Sequence, residues 1–104
     1  MERSIFDIQA DFCKAMANAT RLQIMHTLRE RPMIVGEIMQ KTGFNQSMVS
    51  RQLATLRAVG VVDCQRQGTE MLYQLSDEKI GDVCDLVRKV LLEQMQKRSD
   101  ALFG

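Results

Sequence analysis

Polar side chains suited to reading nucleic-acid bases are concentrated in one short stretch of the chain. Glutamine and arginine can each form paired hydrogen bonds with base edges, glutamine with adenine and arginine with guanine, while serine can contact a base or a phosphate. Such residues occur together at Gln46, Ser47, Ser50, Arg51 and Gln52. Further candidates flank a glycine later in the chain, at Arg66, Gln67 and Thr69. These side chains are the sequence's candidates for contacting DNA.

The elements around these candidates predict a helix-turn-helix. Val35 to Thr42 has the spacing of a short helix, and Gly43 follows it, where glycine readily takes the left-handed conformation that closes a helix. Asn45 can cap the next helix because its side-chain oxygen accepts from free amides in the first turn. That helix is predicted over Gln46 to Val59, with a buried line formed by Val49, Leu53 and Leu56. Its polar side would then enter the major groove of DNA.

A strand–turn–strand hairpin is predicted directly after this helix. Gly60 ends the helix, and the strand-like runs Val61 to Gln67 and Glu70 to Leu75 are separated by Gly68-Thr69. The hairpin tip would reach the flanking backbone or the minor groove. This order is typical of a winged helix-turn-helix. The alternative is that the preceding helix is an ordinary solvated amphipathic helix in a small helical protein.

Two further helices precede this unit and one follows it. The first is indicated by apolar residues at spacings of three and four, namely Ile5, Ile8, Phe12, Ala15 and Met16. Asn18 can cap the second helix, which must stop before Pro32. Ser76 or Asp77 can cap the last helix, whose apolar stripe runs from Ile80 to Met95. The predicted fold is therefore mainly α with a small β-hairpin, ordered α-α-α-α-β-β-α, in one domain over residues 1–104.

The length and composition are those of one small domain that would gain stability by pairing with a second copy. The chain has 104 residues, 45% of them hydrophobic, and a formal net charge of +1. A domain of this size buries a modest fraction of its surface, so the long apolar stripe predicts a homodimer. Charge is nearly balanced overall, yet Arg51, Arg57 and Arg66 outnumber Asp63 between residues 45 and 68. Arg57, near the end of its helix, suits a structural or phosphate-facing role as well as a base contact.

Other broad classes of protein are disfavoured by what the sequence lacks. No apolar run approaches the roughly 20 residues needed to span a bilayer, and the N-terminal stretch has no apolar signal-peptide core. We therefore expect a cytoplasmic protein with no membrane partner. The single histidine, the lack of a glycine-rich phosphate loop and the lack of a histidine near any cysteine in sequence argue against an enzyme.

The cysteines are the remaining candidates for ligand chemistry. Cys13, Cys64 and Cys84 are odd in number, widely spaced and without a Cys-x-x-Cys pair, which does not suggest a disulfide framework. Thiolates bind soft ions such as arsenite and react with oxidants or reactive sulfur species. Cys13 and Cys84 fall on the first and last predicted helices, which should meet, and are candidate sensor thiols. The alternative is that both are small buried hydrophobic residues, a frequent fate of free cysteine. A role for Cys64 stays open.

Four segments together resemble the ArsR/SmtB family of bacterial repressors: AMANATRLQIMHTL, VGEI, NQSMVSRQLATLRAVGVV and RQGTEMLYQL. The resemblance implies a homodimeric winged-helix repressor that binds a near-palindromic operator and releases it in response to an inducer or redox signal. It assigns the recognition role to residues 46, 47 and 50–52, and the dimer interface to the first and last helices. Family members often have histidine where this chain has Gln52, so the base preference at that position is open.

The family's common metal sites are not matched. One lies on the helix before the recognition turn and uses a cysteine pair, but residues 34–38 contain no cysteine. Another uses Asp and His across the final helix, which here has Asp82 and Asp85 but no histidine. His26, the single histidine, is interpreted as an ordinary surface or packing residue. We therefore expect no zinc or nickel site, while arsenite at the cysteines stays open. The alternatives to a thiol-regulated repressor are a winged-helix regulator without cysteine sensing and a protein–protein interaction module.

Overall fold

A computed structural model describes residues 2–103, which form five helices and a two-stranded antiparallel sheet. The elements are α1 (Ile5–Met16), α2 (Ala19–Leu28), α3 (Val35–Thr42), α4 (Gln46–Ala58), β1 (Val62–Gln67), β2 (Glu70–Leu75) and α5 (Glu78–Phe103). This arrangement confirms the predicted order α-α-α-α-β-β-α. Two boundaries differ by one residue, since α4 ends at Ala58 and β1 begins at Val62.

The end of α4 explains both differences. Gly60 has a φ of 83°, and its amide donates to the Arg57 carbonyl at 3.1 Å. The next amide, from Val61, donates to the Leu56 carbonyl at 2.9 Å. These two bonds satisfy carbonyls at the end of α4, and they require residue 60 to take the left-handed conformation. Glycine takes that conformation without steric cost. Val61 is therefore part of the helix ending and is not available to the strand.

Side-chain caps begin α2, α4 and α5, as the sequence predicts. Asn18 Oδ1 accepts from the Arg21 amide at 3.0 Å, and Asn45 Oδ1 accepts from the Met48 amide at 2.8 Å. Before α5, Asp77 Oδ1 accepts from the Lys79 amide at 2.8 Å. Of the two predicted caps for α5, Asp77 therefore fills the position. Ser76 instead donates its hydroxyl to the Gly60 carbonyl.

One buried cluster holds α2, α3, α4 and β1 together. Its members are Ile24, Met25, Leu28, Met33, Ile38, Val49, Leu53, Leu56, Val61 and Val62. The predicted line of Val49, Leu53 and Leu56 lies in this core, so α4 is fixed with its opposite side outward. A contact not predicted from the sequence joins Met33 to Tyr73, which exchange two backbone hydrogen bonds of 2.9 and 2.8 Å. That bridge ties the hairpin to the segment before α3.

The first and last helices leave a broad apolar surface uncovered in the single chain. On α5, exposed residues include Val83, Leu86, Val87, Val90, Leu91, Leu92 and Met95, and on α1 they include Ile5, Phe6 and Ile8. Of the stripe predicted for α1, Ala15 alone is buried in the single chain. No helix within residues 2–103 is both long and apolar enough to span a membrane.

Candidate nucleic-acid interface

The polar candidates in the first half of α4 lie on its outer side. Gln46, Ser47, Ser50 and Arg51 are all exposed, because the helical repeat puts them away from the core line of Val49, Leu53 and Leu56. Capping by Asn45 leaves other first-turn amides of α4 free to face an anion, and the positive end of the helix dipole favours one there. This half of the helix can therefore donate hydrogen bonds to both bases and phosphates.

The hairpin tip presents the second group of candidates. Gln67 pairs with Glu70 at the end of the two-stranded sheet, and Gly68 turns the chain with a φ of 62°. Arg66, Gln67 and Thr69 are exposed around this turn. The Arg66 Nε donates to the Gly68 carbonyl at 3.3 Å, which holds the guanidinium beside the tip.

Gln52 differs from the other α4 candidates. Its side chain is half-buried at the edge of the outer face, and its Oε1 accepts from Arg21 Nη1 at 2.9 Å. The Nε of Arg21 donates to the Ala15 carbonyl in the last turn of α1. Met48, in the first turn of α4, is also half-buried. Sequence reasoning did not identify Arg21, because its partners lie on two other helices.

The arginines of α4 and the hairpin lack acidic partners. Within residues 2–103, Arg51, Arg57 and Arg66 form no ion pair with a carboxylate. By contrast, six other basic residues are paired with carboxylates, namely Arg3, Arg29, Arg31, Lys41, Lys79 and Arg88. Asp63, the acidic residue of β1, accepts a hydrogen bond from Gln74 at 2.8 Å. The three arginines of α4 and the hairpin are therefore exposed and not engaged in ion pairs with the residues that the structure describes, although Asp63 and Glu70 also lie on the hairpin.

Arg57 has a defined position beside the hairpin. An open groove of about 410 Å³ separates α4 from β2 and is lined by Ser50, Ala54, Arg57, Ala58 and Tyr73. Small side chains at Ala54 and Ala58 keep this groove open next to the exposed guanidinium. Whether Arg57 has a structural role or contacts a phosphate or a base stays a prediction.

The two candidate sensor thiols line a different groove, on the side of α1 and α5. This groove has a volume of about 790 Å³, and its walls include Cys13, Leu22, His26, Cys84 and Leu91. Cys13 is exposed and Cys84 is half-buried, and both are free thiols. Burial raises the pKa of the Cys84 thiol, and the negative charge of Asp85 raises it further. Cys64, on β1, does not line this groove.

The acidic residues of α5 are engaged by arginines. Arg29 on α2 binds Asp82 at 2.6 Å and Asp85 at 3.2 Å, and Arg88 binds Asp85 at 2.5 Å. His26 is exposed, and its Nδ1 lies 3.3 Å from Arg88 Nη2. Among the described residues no group of three His, Cys, Asp or Glu side chains is arranged to hold a metal ion. Within one subunit, the cysteines are therefore not assembled into a three-thiolate arsenite site.

Comparisons with known proteins agree with this geometry. A family model described as "Bacterial regulatory protein, arsR family" matches residues 18–63. The chain is 34% identical over 95 residues to the uncharacterized HTH-type transcriptional regulator Rv0081 of Mycobacterium tuberculosis, covering 90% of this chain and 83% of that protein. It is 35% identical over 81 residues to the HTH-type transcriptional repressor SmtB of the same species, covering 78% of this chain and 60% of that protein.

Solved structures give the same result. The crystal structure of Rv0081 matches with a TM-score of 0.81 at 32% identity, covering 94% of this chain and 99% of that one. The homodimeric winged helix-turn-helix DNA-binding domain of Mb0332 from Mycobacterium bovis, solved by NMR, also matches with a TM-score of 0.81 at 32% identity, covering 89% and 86%. The predicted winged helix and the expectation of a regulator rather than an enzyme are both confirmed. The chain belongs to the ArsR/SmtB family of DNA-binding transcriptional regulators.

Proposed function

We propose that this regulator is a cytoplasmic repressor that binds a near-palindromic DNA operator as a homodimer. Gln46, Ser47, Ser50, Arg51 and Gln52 contact the operator from α4, and Arg66, Gln67 and Thr69 contact it from the hairpin. The observation that carries the proposal is that three exposed arginines, Arg51, Arg57 and Arg66, lie together on α4 and the hairpin without carboxylate partners in the described part of the chain. Unpaired cations are free to neutralise phosphates, and the release of counterions then drives binding.

Pairing of two chains through α1 and α5 is supported by the apolar surface on those helices. Large side chains such as Val87 and Leu91 are about half exposed in the single chain, at 54% and 52%. Burying them against a second copy removes apolar area from water at about 25 cal/mol per Å². The similar Mb0332 domain is described as homodimeric. Two copies related by a two-fold axis present two α4 helices, which suits half-sites about one helical turn apart.

The proposed function is tested by selecting binding sites from a random duplex pool and measuring affinity for the selected duplex at several salt concentrations. Affinity should fall steeply with salt. Arg51→Ala should weaken binding by about 1–3 kcal/mol if Arg51 pairs with a base, or reduce the salt slope by about 1 per subunit if it contacts phosphate, with folding unchanged. Arg98→Ala, on the exposed end of α5, is the matched control.

Two results would contradict the proposal. Failure to enrich any duplex, with no salt-sensitive binding, would favour the protein–protein interaction module. If Arg51→Ala bound the selected duplex as tightly as the parent, the assignment of α4 as the helix that reads DNA would be wrong. Repression is measured separately by in vitro transcription from a promoter that carries the selected duplex. An increase in transcript on adding the protein would contradict repression and make the protein an activator.

We further propose that modification of Cys13 and Cys84, by arsenite or a reactive sulfur or oxidant species, releases the operator. Support comes from their common groove between α1, α2 and α5, which adjoins the dimer surface. The double variant Cys13→Ser and Cys84→Ser should bind the operator like the parent but fail to dissociate on treatment. Cys64→Ser is the matched control and should still dissociate. Release that persists in the double variant would put the sensor elsewhere and favour a packing role for both thiols.

A further inference from the structure

We infer that Arg21 sets the base preference of Gln52: it turns the amide so that the NH2 group faces DNA, and Gln52 then reads a base that offers a hydrogen-bond acceptor and selects against cytosine. The inference rests on the proposed function, because it takes α4 as the helix that enters the groove. Arg21 itself acts as a positioning residue and touches no base.

The Arg21 guanidinium is held at two points. Its Nε donates to the Ala15 carbonyl, and its Nη1 donates to Gln52 Oε1 at 2.9 Å. The Ala15 carbonyl belongs to the last turn of α1, where carbonyls lack an intrahelical partner and where the helix dipole favours a positive charge. The bond to Ala15 therefore keeps the guanidinium in place whether or not DNA is present.

The orientation of the Gln52 amide follows from this fixed donor. A guanidinium has N–H donors and no acceptor, so the group facing Arg21 must be the carbonyl oxygen of Gln52. Both side chains are half-buried, so this bond lies on the flank of α4 that faces α1 and α2. The Nε2 group is directed away from that donor, and the described residues offer it no hydrogen-bond acceptor.

The consequence for reading DNA comes from the major-groove groups that an amide NH2 can meet. Guanine and adenine offer the acceptor N7, guanine also offers O6, and thymine offers O4, whereas cytosine offers the N4 donor. Because Arg21 holds Oε1 on the flank of α4, the amide is kept from turning its oxygen toward cytosine N4. Gln52 is therefore expected to select against cytosine.

The test is a binding-site selection from a random duplex pool, run in parallel for the parent and variants. The position read by residue 52 is the one whose preference disappears in Gln52→Ala. At that position the parent should select against cytosine. Arg21→Met removes both hydrogen bonds and frees the amide to turn its oxygen toward DNA, so cytosine should be accepted roughly tenfold more often. Lys14→Met removes a nearby cation of α1 that does not bind Gln52, and should leave the preference unchanged.

Gln52→Glu keeps the hydrogen bond with Arg21, so it provides a second test if Arg21→Met does not fold. Glutamate retains an oxygen for Arg21 but replaces the donor with a second acceptor. The preference at the same position should then move toward cytosine, whose N4 group donates. Circular dichroism melting of each variant shows that the selection reports on folded protein.

Three outcomes would overturn the inference while leaving the proposed function intact. These are selection of cytosine by the parent at the position lost in Gln52→Ala, no position affected by Gln52→Ala, and weaker binding of Arg21→Met to all duplexes with unchanged base preference. The last outcome is what a purely structural Arg21 would produce. Failure of the parent to enrich any duplex would instead contradict the proposed function itself.

Discussion

Gly81 lies directly against the side chain of Arg29. A β-carbon built on Gly81 would be 2.1 Å from Arg29 Cδ, a separation that real atoms do not reach. The absence of a side chain lets Arg29 cross the start of α5 and donate to the Glu78 carbonyl at 3.0 Å and to Asp82 at 2.6 Å. Contact between an arginine and a glycine thus ties α2 to the start of α5, the helix that carries most of the exposed apolar surface.

Gly81→Ala should destabilise the fold even though alanine is the better helix former. The added methyl group must displace the end of the Arg29 side chain, which breaks its hydrogen bonds to Glu78 and Asp82, and each such bond contributes about 0.5–1.5 kcal/mol. Gly36→Ala is the matched control, because nothing lies within 4 Å of a β-carbon at that position in α3. The free energy of unfolding in urea should fall for Gly81→Ala and stay level or rise by up to about 1 kcal/mol for Gly36→Ala. Equal changes in the free energy of unfolding for the two variants would contradict the close contact between Gly81 and Arg29.

Leu91→Glu should separate the proposed homodimer without unfolding the subunit. Leu91 is exposed in the single chain, so a charge there is tolerated until a second copy covers it. Burying an unpaired carboxylate at the interface should weaken dimerisation on the order of 100-fold. Sedimentation velocity checks the mass, with Lys89→Glu as a control that introduces the same side chain at a polar position of α5. A dimer that survives Leu91→Glu would move the interface away from this face.

The ion pairs of α5 predict how stability responds to acid. The hydrogen bond from Arg88, followed by the charge and hydrogen bond of Arg29, holds the pKa of Asp85 below its ordinary value. A carboxyl with a lowered pKa in the folded state stabilises the fold above the ordinary value of about 4 and loses that contribution as pH falls below it. Asp85→Asn should lower stability at neutral pH and reduce the further loss below pH of about 4. Urea unfolding at several pH values measures this, with Glu93→Gln as a control outside the cluster. An unchanged acid response in Asp85→Asn would argue against the ion pairs.

The cysteines should differ in reactivity toward an alkylating agent. Burial and the Asp85 charge raise the pKa of Cys84, so less of it is thiolate at neutral pH, whereas Cys13 is exposed. Iodoacetamide at neutral pH should therefore modify Cys13 well before Cys84, and raising the pH should accelerate Cys84. Peptide mass spectrometry over a time course gives both rates, with urea-unfolded protein as the reference for equal access. Faster labelling of Cys84 would contradict its half-buried setting.

Local signals in the sequence were sufficient for the order of the elements. Asn45 caps α4 and Gly43 closes α3 with a φ of 79°, as predicted, because both depend on the chain's own next few residues. The same holds for the core line of α4 and for the Gly68 turn of the hairpin. The eight candidate DNA contacts were likewise chosen from residue type and position on an element, and they stay a prediction.

Tertiary structure decided which of those side chains are free and which are engaged. The bond between Arg21 and Gln52 and the bridge between Met33 and Tyr73 join residues far apart in sequence, so no local pattern indicates them. The position of Gly81 beneath Arg29 is of the same kind. The sequence alone determined the helices, the turn and the hairpin, because hydrogen bonds within a few residues specify them. Packing decided which side chains of the proposed DNA-contacting surface are free and which are hydrogen-bonded, because a side chain's partners depend on how distant segments meet.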